Sequence, residues 1–271
     1  MGNALGQVIR SYVIVAALLP SVAMAQLFSV ESLDKESSSA ATMTFLYPAK
    51  DAKATLIFVP GGDGSVGVKP TWNASHRYFS TYHYNRMLQS LSDSTVTSGL
   101  VNVVIFDSPV SLGSTGWPAA RAGVDHLARI ESVLRFYADM LKKPVWLMGH
   151  SNGGISVTEF DKYLLKNHQE GLLAGLIYSG GRDGATFDEH TKLPVLLIHH
   201  ERDGCDRATP DNTQRLYAKL KETGHADVDF ALIKSGASAS GNACHSGYHM
   251  YFGAAEEVAG VIDRFLAKHL H

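Results

Sequence analysis

The sequence predicts an α/β fold in which helices cover both faces of a mostly parallel central sheet. Two observations predict it. Short apolar runs of strand length alternate with longer segments of helical periodicity along most of the 271 residues. Such alternation is typical of parallel sheets, because each crossover between parallel strands needs room for a helix. In addition, a Gly-x-Ser-x-Gly run at 149–153 joins one apolar run to one helical segment.

Seven apolar runs are predicted as strands and five segments as helices. The strands are 42–47, 55–59, 101–106, 145–148, 172–178, 195–199 and 228–233. The helices are 79–91, 118–140, 154–165, 211–222 and 254–268. Asp211 is the expected cap of the fourth helix, and Gly171 the expected stop after the third. In a parallel sheet, functional groups collect on the loops that follow the carboxyl ends of the strands.

The first residues have the pattern of an export signal. Arg10 precedes an apolar run at 12–19, and the small residues Ala23 and Ala25 fit a cleavage site. This run is shorter than the roughly 20 apolar residues that span a bilayer. We therefore expect residues 1–25 to be a signal peptide, residues 26–271 to form a single domain, and the protein to be periplasmic or secreted. The alternative is a buried N-terminal helix.

Composition excludes one class of partner and indicates a covalent link. A formal net charge of −2 argues against nucleic acid as a partner. The chain has two cysteines, Cys205 and Cys244. In an exported protein an even pair predicts a disulfide, although two buried free thiols remain the alternative.

Ser151, in the run Gly149-His150-Ser151-Asn152-Gly153, is the candidate nucleophile. A nucleophilic serine on a sharp strand-to-helix turn needs glycine on either side, because side chains there would strike the neighbouring backbone. An incidental serine in a glycine-rich turn is the alternative. The predicted strand before the motif and the predicted helix after it favour the nucleophile.

A serine hydroxyl needs a base to take its proton, and the base needs an acid to orient it. Asp203 is the candidate acid because it follows a predicted strand. An ordinary Asp-Gly turn is the alternative, and Glu201 and Asp206 are the second choices.

His249, which lies between the last strand and the last helix, is the candidate base, and His245 is its rival. The order Ser151, Asp203, His249 matches the nucleophile–acid–base order of one large class of hydrolases. Because the base must be neutral, activity should fall on the acid side of neutrality.

The glycine-rich run at 60–64 is the candidate source of oxyanion donors. Its glycines let the backbone approach a substrate closely, and Gly62 is the expected donor, with Asp63 second. The second donor is the backbone N–H of Asn152, at the start of a predicted helix. The run is not a phosphate-binding loop, since no Gly-Lys-Ser/Thr follows it.

These segments resemble the α/β-hydrolases, in particular small secreted bacterial esterases and dienelactone-hydrolase-like enzymes. The resemblance rests on 60–64, on 149–153, on Asp203 with Cys205, and on Cys244 with 249–253. It extends over nearly the whole of residues 26–271. The chain departs from it at Pro60-Gly61, where many relatives have His-Gly. The resemblance implies ester hydrolysis through an acyl-enzyme.

The segment 179–193, where many relatives insert a cap domain, is too short for one, so we expect an open site. The segment 65–78 is the expected pocket wall. The residues expected to contact substrate are Asp63, Trp72, His150 and Trp117. His199 and His200 are adjacent on a strand, so their side chains face opposite ways and predict no metal site. No cofactor is expected.

The sequence thus predicts a serine carboxylester hydrolase that acts on a small-molecule ester. A thioesterase or peptidase with the same three residues is the alternative within the enzymes. A non-catalytic periplasmic binding protein on the same scaffold is the alternative outside them.

Overall fold

A computed structural model describes residues 26–32, 40–68, 84–113 and 116–270. Within these ranges eight strands form one sheet in the order β1-β2-β4-β3-β5-β6-β7-β8. The first two pairings, β1 with β2 and β2 with β4, are antiparallel, and all others are parallel. The strands are β1 Gln26–Val30, β2 Thr42–Tyr47, β3 Ala54–Val59, β4 Val101–Asp107, β5 Val145–His150, β6 Gly175–Ser179, β7 Val195–His200 and β8 Val228–Ile233.

Helices cover both faces of the sheet, as the sequence predicts. They are α1 Tyr84–Ser92, α2 Val124–Leu141, α3 Gly153–Lys166, α4 Pro210–Glu222 and α5 Ala255–His269. Apolar residues of α1 and α5 share one buried cluster with one face of the sheet. Apolar residues of α2, α3 and α4 share a second cluster with the opposite face. Strands such as β3 are buried throughout because they have helices above and below.

Several predicted boundaries differ from the structure for local reasons. The helix predicted over 118–140 is divided, because Gly123 adopts an extended conformation between a 3₁₀ turn at Ala119–Ala122 and α2. The strand predicted from 172 begins at Gly175, because Glu170–Leu172 forms another 3₁₀ turn.

Two helix ends also differ from those that the sequence predicts. The cap of α4 is Thr209 and not Asp211: the Thr209 hydroxyl accepts from the Asn212 N–H at 3.3 Å, and Pro210 occupies the first turn. Helix α3 ends at Lys166, before Gly171. Strand β1 was not predicted from the sequence.

Some predictions lie outside the described residues, namely the signal peptide at 1–25, residues 79–83 of the first predicted helix, and Trp72. Among the residues that the structure does describe, no helix is long and apolar enough to cross a membrane.

The parallel strands fix the position of the candidate site. Residues 60–64 follow β3, Ser151 follows β5, Asp203 follows β7 and His249 follows β8. Since these four strands run in the same direction, the four loops meet at the carboxyl edge of the sheet.

Candidate active site

Ser151 sits on a strained turn between β5 and α3. Its φ of 55° lies in the left-handed region of backbone conformation, which residues other than glycine rarely adopt. A Cβ on Gly149 would lie 2.1 Å from the carbonyl oxygen of Gly153. A Cβ on Gly153 would lie 2.3 Å from the carbonyl oxygen of Val59. Both contacts are impossible, so the turn that presents the Ser151 hydroxyl requires glycine at both positions.

The side chains of Ser151, His249 and Asp203 form a hydrogen-bonded chain. His249 Nδ1 lies 2.7 Å from Asp203 Oδ2, and His249 Nε2 lies 3.0 Å from Ser151 Oγ. Because a carboxylate can only accept, Nδ1 carries the proton and Nε2 is left to accept from the Ser151 hydroxyl. This arrangement can remove the proton from Ser151 as its oxygen attacks a carbonyl carbon.

The rival residues from the sequence lie elsewhere. His245 is exposed on the wall of the cleft beside the serine. Glu201 is at the surface near Arg202, with 3.7 Å between their charged groups. Asp206 is 86% exposed and lies 3.6 Å from Arg207. No hydrogen bond joins any of the three rivals to the serine–histidine–aspartate chain among the described residues.

Asp203 is held by more than one histidine. Its Oδ2 atom also accepts from His199 Nε2 at 2.9 Å, and its Oδ1 atom accepts from the Cys205 N–H at 2.9 Å. His199 is fully buried, and its Nδ1 atom lies 2.7 Å from the hydroxyl of Thr213. Burial by itself would raise the pKa of Asp203, but hydrogen bonds from His199 and His249 outweigh it and hold that pKa below its ordinary value. Asp203 is therefore an anion at neutral pH.

The sequence did not reveal this role of His199. In the sequence, His199 is notable only because it is adjacent to His200, and two histidines together could bind a metal. The structure shows that the two side chains do face apart, since His200 Nε2 lies 2.7 Å from the Ser235 carbonyl oxygen. The available signal was the four-residue spacing from His199 to Asp203 across the end of β7.

A disulfide links Cys205 and Cys244, with 4.5 Å between their Cα atoms. This confirms the predicted pairing. The bond joins the loop that carries Asp203 to the loop that carries His249. Since the N–H of Cys205 also donates to Asp203, the covalent link fixes one of the carboxylate's own partners.

The glycine-rich loop after β3 lies against Ser151. A Cβ on Gly61 would be 2.8 Å from the Cβ of Ser151, so this position requires glycine. Gly62 has a φ of +57°, and its carbonyl oxygen accepts from the side-chain amide of Asn152 at 3.0 Å. Gly62, Asp63 and Asn152 all line the cleft. The side chain of Asn152 therefore connects the serine turn to this loop.

A buried arginine lies behind the same loop and was not anticipated. Arg121 has no exposed surface, and its NH2 atom donates to the carbonyl oxygens of Pro60, Gly61 and Gly62 at 3.0, 3.2 and 3.2 Å. Burial lowers the pKa of Arg121 to about 10, an effect that Asp63 opposes, so the guanidinium stays charged at neutral pH. Arg121 appeared in the sequence as one of several charges in a helical segment, with nothing to distinguish it.

The cleft itself combines apolar and charged side chains around Ser151. Asp63, which the sequence predicts to contact substrate, is among the residues that line it. Arg182 and Arg207, which the sequence did not indicate, line it as well. Trp117 is 48% exposed and lies beside Gly184, outside the set of cleft-lining residues.

The predicted substrate contact of His150 needs correction. Its ring is fully buried and packs against His249, with 5.0 Å between the ring centres, and against Tyr251, with 5.3 Å. Its Nδ1 atom lies 3.1 Å from the hydroxyl of Ser179. A ring with no exposed surface has none to offer a ligand, so His150 supports His249 from below. Burial lowers the pKa of His150 well below its ordinary value, and the nearby charge of His249 adds a smaller effect in the same direction.

The sheet order, the serine turn and the position of the cleft can now be set beside solved structures. A serine hydrolase without a lid from Xanthomonas campestris superposes with a TM-score of 0.58, at 12% identity, over 94% of this chain and 98% of the other. The chain has the α/β-hydrolase fold. Among its described residues the protein has no sizeable cap, since β6 and β7 are joined by a short loop.

Two further structures show the same similarity. A thermostable carboxylesterase cloned from a metagenomic library has a TM-score of 0.58 at 13% identity, covering 94% of this chain and 92% of the other. A dienelactone hydrolase from Anabaena variabilis has a TM-score of 0.52 at 15% identity, covering 91% and 99%. No family model and no curated protein sequence matches the chain.

Proposed function

We propose that this protein is a serine hydrolase that cleaves carboxylic esters through an acyl-enzyme. The observation that carries the proposal is the hydrogen-bonded chain from Ser151 through His249 to Asp203, which faces a backbone loop at Gly62. The similarity to structures described as esterases and serine hydrolases supports hydrolysis as the reaction class.

The proposed reaction has two halves. Ser151 Oγ attacks the ester carbonyl carbon while His249 Nε2 takes its proton and Asp203 stabilises the resulting imidazolium. The backbone N–H groups of Gly62 and Asn152 stabilise the negative oxygen of the tetrahedral intermediate. His249 then gives the proton to the leaving alcohol, and an acyl group remains on Ser151. Water, activated by His249, attacks that acyl group and regenerates the hydroxyl.

The geometry of the serine turn supports Asn152 as one oxyanion donor. Its peptide N–H lies at the start of α3, where the helix dipole favours negative charge. Ser151 and Asn152 both line the cleft, and we expect the Ser151 hydroxyl and the Asn152 N–H to face it. Both groups can then act on one carbonyl.

The first test measures hydrolysis of a neutral p-nitrophenyl ester. Ser151→Ala should lower kcat/KM by about a thousandfold or more, because no attacking oxygen remains. Ser94→Ala, at an exposed serine outside the cleft, is the matched control and should behave like the unmodified protein. If Ser151→Ala retains most of the activity, the proposed nucleophile is wrong.

A substrate panel separates ester hydrolysis from the related reactions. Esters, thioesters and peptide anilides with the same acyl group should be compared on one preparation. We expect the highest kcat/KM for the ester. A higher kcat/KM for the thioester would show that the protein is a thioesterase, and a higher value for the anilide would show that it is a peptidase. A lack of turnover throughout would favour a binding protein.

We also propose that residues 1–25 are removed on export and that residues 26–271 form one catalytic domain. The disulfide supports an oxidising compartment, where such bonds persist. N-terminal sequencing of the protein exported from a bacterial host should find Gln26 first. An uncleaved N-terminus on the exported protein would contradict this proposal.

A further inference from the structure

The geometry points to Arg121 as the residue that positions the oxyanion-binding loop. Its guanidinium binds the back of the loop through the carbonyl oxygens of Pro60, Gly61 and Gly62, and this contact directs the loop's N–H groups into the cleft. The inference rests on the proposed ester hydrolysis. Arg121 acts through the loop and does not itself contact substrate, so it is a positioning residue.

Three consecutive carbonyl groups converge on one nitrogen atom. NH2 of Arg121 lies 3.0 Å from the oxygen of Pro60 and 3.2 Å from those of Gly61 and Gly62. Partially negative oxygens turned toward one another repel, so such a backbone conformation requires a cation or several donors at their meeting point. The side chain of Arg121 supplies that charge with no exposed surface of its own.

The direction of the carbonyls determines the direction of the amides. In a planar trans peptide the C=O and the following N–H point in opposite directions. The carbonyls of Gly61 and Gly62 face Arg121 in the interior, so the N–H groups of Gly62 and Asp63 face the other way. That other side is the cleft, which Gly61, Gly62 and Asp63 line together with Ser151.

The φ of +57° at Gly62 allows these N–H groups to converge. Successive N–H groups around a left-handed residue form a concave site for an anion. In the proposed reaction the anion is the oxygen of the tetrahedral intermediate. Arg121 and the intermediate therefore lie on opposite sides of one loop. The cation of Arg121 contacts the carbonyl oxygens of the loop, and the anion of the intermediate contacts its N–H groups.

Other buried groups hold the guanidinium in place. NH1 of Arg121 donates to the hydroxyl of Ser156 at 2.8 Å, and His126 Nε2 lies 2.9 Å from the same hydroxyl. Ser156 belongs to α3, the helix that begins after Ser151. The same helix therefore anchors both the nucleophile and the arginine behind the oxyanion loop. Among the described residues no carboxylate forms an ion pair with Arg121. Its hydrogen-bond partners are the three loop carbonyls and the hydroxyl of Ser156.

The chain offers a matched control for the loss of a buried arginine. Arg129, on α2, is equally buried, but it donates to the Ala40 carbonyl and to Asp125, away from the oxyanion loop. Arg129→Met and Arg121→Met both remove a buried guanidinium. A general loss of stability would affect the two variants alike, whereas a role in the loop is specific to Arg121.

The experiment compares kcat, KM and the affinity for a trifluoromethyl ketone. Ser151 Oγ adds to the ketone carbon, its proton goes to His249, and the ketone oxygen becomes the oxyanion. Removal of one oxyanion donor costs about 10²–10³ in kcat, so we expect Arg121→Met to lower kcat by about a hundredfold. Affinity for the ketone should fall by a similar factor while KM changes little, and Arg129→Met should leave both quantities close to those of the unmodified protein.

Further variants keep the test decisive if Arg121→Met does not fold. Arg121→Lys retains a positive donor and should recover part of the lost kcat. Ser156→Ala removes one anchor of the guanidinium and should lower kcat and ketone affinity together by a smaller factor. If all foldable Arg121 and Ser156 variants keep kcat and ketone affinity, or lose them only as much as Arg129→Met, the inference is overturned.

The result remains separable from the proposed function. Loss of activity in Ser151→Ala with full activity in the Arg121 variants would contradict the role of Arg121 alone. Full activity in Ser151→Ala would contradict the proposed nucleophile, and the positioning role with it.

Discussion

His199 Nε2 donates to Asp203 Oδ2 across 2.9 Å inside the protein, on the same carboxylate oxygen that accepts from His249. Two histidines thus share one acceptor, and the side chains of His199 and Asp203 are both buried. The carboxylate cannot rotate without breaking a charge-assisted hydrogen bond. The orientation of His249 therefore depends on a residue that does not touch the cleft.

This relationship predicts the effect of replacing His199. His199→Phe should lower kcat by about tenfold or more, because Asp203 loses a donor worth roughly 1.5–3 kcal/mol. His199→Gln can still donate an N–H to the carboxylate and should recover part of the loss. Ester hydrolysis and thermal unfolding, measured on the same samples, test the prediction. Equal kcat for the Phe and Gln variants would show that the hydrogen bond is unimportant.

The disulfide should matter to activity before it matters to the fold. The Cys205–Cys244 bond closes a separation of 39 residues, so its loss removes about 4 kcal/mol of chain-entropy stabilisation. It also loosens the loops of Asp203 and His249, and catalysis loses rate steeply when positioning is lost. In a reductant titration, ester hydrolysis should therefore fall at lower reductant than near-UV circular dichroism. Coincident loss of both signals would contradict the idea.

The pH dependence of stability should carry a contribution from His126. Burial is the main cause that lowers the pKa of His126 to about 3, and the positive charge of Arg121 is the second cause. Between that value and the ordinary 6.5, the unfolded chain binds a proton that the folded protein does not. The stability from this group is therefore complete above pH 6.5 and is lost as pH falls toward 3.

His126→Gln should flatten the plot of unfolding free energy against pH. The slope between these two pKa values should decrease by about 1.4 kcal/mol per pH unit, the equivalent of one proton. Denaturant unfolding at several pH values measures it. His168→Gln, at an exposed histidine after α3, is the control for the loss of a histidine side chain and should change the slope less than His126→Gln does. An unchanged slope in His126→Gln would contradict the assignment.

The two arginines of the cleft predict a preference among esters. Arg182 is fixed at the rim, since its NH2 atom donates to the Gly116 carbonyl at 2.6 Å. Arg182 and Arg207 line the same cleft. Burial lowers the pKa of Arg182, and the positive charge of Arg207 adds to this effect. An ester whose acyl group ends in a carboxylate should therefore have a higher kcat/KM than its neutral methyl-ester analogue.

Arg207→Gln should reduce the ratio of these two kcat/KM values by about tenfold, the size of one charge-assisted hydrogen bond. Arg215→Gln, at an exposed arginine of α4, is the control. A ratio that stays the same in Arg207→Gln would show that the cleft does not select for charge.

The sequence predicted the sheet and the serine turn well because both depend on local pattern, and it predicted the disulfide because the chain has only two cysteines. Apolar runs marked β2 to β8, and the glycines at 149 and 153 satisfied a steric requirement that the structure shows directly. Asp203 and His249 are predictable because each follows a strand, and parallel topology brings the loops after the strands together.

The remaining features depend on contacts that local pattern does not contain. Arg121 contacts the loop at 60–64 across about 60 residues of sequence, and an arginine in a helical segment usually faces solvent. The burial of His150 follows from the packing of Tyr251 and His249 against it, which the motif letters cannot reveal. The start of the helix predicted over 118–140 depends on the conformation of one glycine, Gly123, which precedes the first helical residue, Val124.

The most direct test of the central claim is labelling with a fluorophosphonate, followed by peptide mapping. In this reaction the Ser151 oxygen displaces fluoride from phosphorus, with His249 taking the hydroxyl proton. We predict one adduct per chain, on Ser151, at a rate that falls by about a hundredfold or more in His249→Ala because the base is lost. An adduct on another residue, no adduct at all, or an undiminished rate in His249→Ala would contradict the account.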